Sequence, residues 1–156
     1  MAALTKKRTT KAKHGASSTT RSHEIVDTKK VFPGSLIALD TGTGQIQPWT
    51  GVATDIFAGY LDDDDDNGAE FILGTTVTPK PRGLCREGDV LTDVPVTGAS
   101  AITDVGKDVF ATNDNPDDIT LTDPTTSKPI GVIVRFNSAT SFEVQLKTLI
   151  EYTIST

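Results

Sequence analysis

The chain has 156 residues, of which 36% are hydrophobic, 23% charged and only 6% aromatic, with a formal net charge of −6, a size suited to one domain. It contains no run of about 18 apolar residues that would span a membrane as a helix, and its single Cys85 excludes an internal disulfide. Both histidines, His14 and His23, lie near the N-terminus, so residues 31–156 lack the side chain most used for zinc ligation and general-base chemistry.

Residues 1–30 carry Lys6, Lys7, Arg8, Lys11, Lys13, Arg21, Lys29 and Lys30 against Glu24 and Asp27, a local charge of +6. Residues 31–156 set seven Lys and Arg against nineteen Asp and Glu, a charge of −12. This split divides the chain into a basic arm, 1–30, and an acidic domain, 31–156. Residues 5–20 hold almost no apolar side chains, so burial cannot offset the entropy of ordering them; the arm is expected to be flexible until an acidic surface orders it. Its eight cations are the candidate contact residues. No aromatic residue is interleaved with them, which disfavours single-stranded nucleic acid as the partner. Residues 1–4 run into lysines without an apolar core, so no secretory leader is expected.

The 25 threonines, 13 glycines and 8 prolines favour strands and turns over helices. Residues 35–39 read as a strand and 40–44 as the turn after it; 55–61, 70–73 with 75–77, and 90–96 follow as strand segments. Further segments fall at 107–111, 119–121 and 130–136. From 142 to 154, apolar residues keep one parity except at Leu149, which predicts one long half-buried strand or two joined by a bend. No stretch has a helical period, so the expected fold is all-β, an antiparallel sandwich or barrel. Gly34 to Gly59 and Gly106 to Gly131 are both intervals of 25 residues, each enclosing a strand, a short hairpin and a returning strand whose glycine permits a bulge or close backbone approach. That spacing suggests an internal duplication.

Four local features invite chemistry. Asp40-Thr41-Gly42 matches the carboxylate turn of aspartic proteases, but Asp-Thr-Gly-Thr-Gly equally closes a hairpin through the Asp side chain. Asp63 and Asp65, within the acidic run 62–66, with Asn67 and Gly68 just after it, fit the first half of a calcium loop; the twelfth position is Gly74 instead of a bidentate Glu, and a solvated loop tip is the simpler reading. Cys85 has Arg82 and Arg86 nearby but no histidine partner in the domain, and reads as a small buried residue. Trp49 is either a core plug or an interface anchor. No phosphate loop, dinucleotide fingerprint, paired-cysteine motif or serine elbow is present, so neither an enzyme nor a cofactor is expected.

Gly88-Asp89-Val90, the run Gly-Lys-Asp-Val-Phe-Ala-Thr at 106–112, Ile-Thr-Leu-Thr at 119–122 and Pro-Ile-Gly-Val-Ile-Val at 129–134 together resemble the capsid decoration, or cement, proteins of tailed bacteriophages. The resemblance covers about residues 32–147, and the motifs are strand-and-turn patterns. It implies a small β-rich protein without catalysis, bound outside the mature head and bridging neighbouring major capsid protein subunits. It also implies a homo-oligomer, trimer before dimer, placed in the virion with no membrane and no direct nucleic acid contact. The acidic run and the basic arm stand outside the pattern. On this reading the eight arm cations become candidate capsid contacts. The competing readings are a tail or baseplate β-protein and a β-barrel nucleic-acid-binding module.

Overall fold

Short β-branched runs separated by Gly, Pro and Asp turns can bury themselves only by pairing edge to edge and stacking face to face. The computed structural model, which describes residues 3–62 and 69–155, has twelve such strands among them. They are β1 (Ala12–Lys13), β2 (Thr19–Glu24), β3 (Lys30–Val31), β4 (Leu36–Leu39), β5 (Ile46–Pro48), β6 (Ile56–Leu61), β7 (Ile72–Leu73), β8 (Arg82–Glu87), β9 (Val90–Val94), β10 (Asp108–Val109), β11 (Gly131–Ser138) and β12 (Ser141–Leu146), followed by one α-helix, α1 (Leu149–Ile154). One sheet runs β1-β9-β12-β11-β10, the other β2-β8-β6-β4-β5, and β3 pairs β7 apart from both. Every named pairing is antiparallel. The all-β sandwich expected from the sequence is the observed fold.

The main core lies between the sheets, where Leu36, Phe57 and Tyr60 meet Leu91, Ile133 and Val144. Trp49 belongs to it: 1% exposed, it packs edge-on to Phe57 and Tyr152 and its indole N–H donates to the Ala111 carbonyl at 2.6 Å. It is a core plug. A second cluster covers the outer face of the β4–β6–β8 sheet with Ile25, Ile37, Leu61 and Cys85. Cys85 is fully buried there, as a small apolar residue would be.

Part of each sheet has a similar strand order. In the first half β8-β6-β4-β5 lie side by side; in the second, β12-β11-β10 are followed by Thr120, bridged to Phe110. The glycines of the two intervals make similar backbone contacts. Gly34 N–H donates to Leu61 O at 2.9 Å, and Gly106 N–H to Ile133 O at 2.8 Å, both glycines having positive φ. A side chain at Gly59 would strike the Arg86 carbonyl, and one at Gly131 the Gln145 carbonyl. Gly59 also sits at the register shift between β4 and β6 with φ of 86°, a bulge only glycine fits.

The C-terminal parity pattern breaks where a helix begins. Residues 142–146 alternate as expected, but 149–154 are helical, a correction to the long strand. Thr148 and Glu151 form a capping box: Glu151 N–H donates to Thr148 Oγ1 at 3.2 Å and Thr148 N–H to Glu151 Oε2 at 2.7 Å. This satisfies the first orphan donors of the helix. Leu149 and Tyr152, three apart, then face the two cores.

Candidate functional site

The basic N-terminal stretch is where charge, edge strands and buried carboxylates converge. It does not stand away from the domain. Residues 12–13 form β1 at the edge of one sheet, pairing Ala12 with Leu91 and Lys13 with Val90. Residues 19–24 form β2 at the edge of the other, in register from Thr19 with Glu87 to Glu24 with Arg82. The strap therefore closes one open edge of each sheet, edges that would otherwise present unpaired N–H and C=O groups. Residues 14–18 cross between the sheets over the β8–β9 turn, and Ile25 beyond them is fully buried.

The charge split is largely satisfied within the chain. Arg8 Nη1 lies 2.6 Å from Asp117, Lys11 Nζ 2.9 Å from Asp93 and Lys13 Nζ 3.0 Å from Glu143. Arg21 Nε lies 2.7 Å from Glu87 Oε2, in ion contact but out of line for a hydrogen bond; the Glu87 side chain is 1% exposed. The Lys7 amide N–H donates to Glu70, and the Lys30 ammonium sits 4.7 Å above the Phe71 ring, a cation–π contact. Lys6 and Lys29 are exposed and form no ion pair among the described residues. Sequence reasoning found the cations but missed their partners, which lie 66 (Arg21–Glu87) to 130 (Lys13–Glu143) residues away wherever a carboxylate forms a side-chain ion pair.

Beneath the crossing lies a buried polar network. Tyr60 O–H donates to Asp89 at 2.7 Å, Arg86 Nε donates to Asp62 at 2.8 Å, and His14 Nδ1 lies 3.5 Å from Asp89. The Asp62 hydrogen bond holds Arg86 protonated above its ordinary range. Burial pushes the His23 imidazole below its usual value, against the raising influence of Glu87, and its Nε2 is buried without a hydrogen-bond partner among the described residues. The Lys11 hydrogen bond, helped by Ser141, holds Asp93 below the usual carboxylate range.

The other sequence candidates resolve locally. Asp40 accepts from Gly42 N–H at 2.9 Å and from Thr43 Oγ1 at 3.0 Å, and Gly44 has φ of 70°, so Asp-Thr-Gly-Thr-Gly closes the β4–β5 hairpin. Asp63, Asp65, Asn67 and Gly68 lie outside the described residues. Among those described, no group of three His, Cys, Asp or Glu side chains is placed to hold a metal, and no helix is long and apolar enough to cross a membrane.

This architecture defines the class: a two-sheet antiparallel β-sandwich, closed along one side by its own basic strap. No protein-family model matches the chain, and no curated protein matches it. Among solved structures it is similar to a chain from the capsid of Myoviridae phage XM1, at 16% identity and a TM-score of 0.55, with 95% of this chain and 96% of that one covered. At that identity the likeness is one of fold, and it runs nearly end to end in both.

Proposed function

We propose that the protein is a structural component of a tailed-phage virion that binds the outer surface of the capsid and bridges neighbouring major capsid protein subunits. The observation that carries this reading is the end-to-end fold likeness to a chain of the phage XM1 capsid, joined to the decoration-protein strand pattern of residues 32–147. The work is mechanical: many copies, each touching several shell subunits, gain avidity from individually weak contacts. The closed sheet edges and doubly covered β4–β6–β8 sheet suit a part that must transmit load without unfolding.

The capsid contact is assigned to the basic face of residues 1–30, the outward Lys6, Lys29 and Lys30 foremost. Arg8, Lys11, Lys13 and Arg21 reach the shell only by giving up their own carboxylate partners. The protein acts as a homo-oligomer, trimer before dimer, without a cofactor. Co-sedimentation with heads assembled from the major capsid protein of the same genome, across a salt series, tests this reading. The expected result is saturable binding at a fixed ratio to capsid subunits, weakening as salt rises. Absence of binding to both unexpanded and expanded heads overturns it.

A further inference from the structure

We propose that residues 3–14 are an exchangeable segment, and that the acidic edge formed by β9 and β12 is a docking surface for the same basic segment of a second copy of this chain. The inference concerns this chain alone and does not depend on the capsid reading.

Three observations carry it. First, the segment is held by polarity, with little apolar anchoring. β1 pairs only two residues, Ala12 is its one partly buried hydrophobe against the main core, and the polar contacts include Lys11 on Asp93, Lys13 on Glu143, Arg8 on Asp117, the Leu4 amide on Asp114, the Lys7 amide on Glu70, the Arg8 amide on the Pro33 carbonyl and the Thr10 hydroxyl on the Gly34 carbonyl. Second, the acceptors lie on β9, β12, the 113–118 turn, the Pro33–Gly34 bend, Glu70 and Asp89, all distant from the segment in sequence, so the acceptor geometry is the same whichever copy supplies the cations. Third, the covalent tie is a short turn, with Ser18 N–H donating to Gly15 O at 3.3 Å and Gly15 N–H to Ser18 Oγ at 2.6 Å.

Straightening that turn sacrifices those bonds and the packing of Gly15 against Gly88. Every contact of residues 3–13 is then remade on the neighbour, which is why exchange of an identical element has a low net cost. β2 and buried Ile25 keep the remainder of the strap in place. Extended at roughly 3.3 Å per residue, the segment reaches about 36 Å, enough to cross to an adjacent copy. A short tether gives the intramolecular arrangement an effective concentration of about 1 mM; exchange competes once neighbours are packed at a similar density.

The experiment uses the full chain with Cys85→Ser and two single-cysteine variants, Lys11→Cys and Asp93→Cys, mixed at about 1 mM, warmed to let strands re-pair, and treated with a short bismaleimide. A covalent heterodimer can form only between copies. Its yield should rise in proportion to protein concentration and exceed that from Lys11→Cys mixed with Asp123→Cys, an exposed site away from the strap. The double variant Lys11→Cys/Asp93→Cys closes as a monomer when dilute. Heterodimer no more abundant than in the Asp123→Cys control at every concentration overturns the proposal.

Discussion

Arg21→Ala tests whether the strap is part of the fold. Arg21 is the cation beside Glu87, whose carboxylate is 1% exposed and also accepts from the Leu149 amide at 2.6 Å. Removing one partner of a buried ion pair costs about 3–5 kcal/mol. Arg21 itself is 46% exposed, so water replaces part of what it supplied, and about 2 kcal/mol is expected. For a domain of this size that corresponds to a melting temperature lower by about 4–8 °C. Calorimetry at pH 7 on the wild type, Arg21→Ala, Glu87→Gln and the double variant gives both the loss and its coupling. The double variant should be more stable than Arg21→Ala alone, because the uncompensated charge is gone while a side-chain oxygen still accepts from Leu149. A melt of Arg21→Ala within about 1 °C of wild type, or losses that simply add, refutes the reasoning. The same logic makes a chain starting near residue 31 a poor test of capsid contact: it loses β1, β2, Ile25 and the Glu87 counterion together.

Gly59→Ala forces a side chain with φ of 86° onto the Arg86 carbonyl, and should cost about 3 kcal/mol or more; an unchanged urea midpoint contradicts the bulge. Thr148→Ala removes the capping-box acceptor and should lower stability by about 1 kcal/mol, with the melting curve as readout and Thr148→Ser restoring it. His23 has a folded pKa below its unfolded 6.5, so the unfolded chain takes up its proton first, and stability falls as pH drops from 6.5 towards the folded value. Asp104, held at about 2 mainly by the Lys107 hydrogen bond, and Asp93, held low by Lys11, keep their contribution above 3.8 and lose it only in stronger acid. Asp114, raised by burial, works the opposite way and gains on protonation. Melts between pH 7 and 5 should therefore decline for the wild type and flatten for His23→Gln; equal slopes would remove His23 from the account.

The class of fold and several of its elements are legible in the residues themselves. The runs at 36–39, 56–61, 90–94 and 131–138 are short, largely apolar and bounded by turn formers, so local sequence specifies them. Asp40 to Gly44 encodes its hairpin through the Asp side chain and a positive-φ glycine, and Gly59 and Gly131 mark strands where a neighbouring backbone approaches closely. The helix at 149–154 was hidden because six residues are too few to show a period, and alternation continues by chance through them; only Thr148 and Glu151 signal it. The basic stretch was legible as a charge cluster, but its fate was not. Lys13 meets Glu143 and Arg21 meets Glu87 through strand pairings set by the whole sandwich, and no local pattern records which distant carboxylate a lysine will find. Composition determines that residues 5–20 cannot bury a core of their own; tertiary structure decides that two bare sheet edges and a set of remote carboxylates order them, because edge hydrogen bonds and opposite charges stabilise what apolar burial cannot.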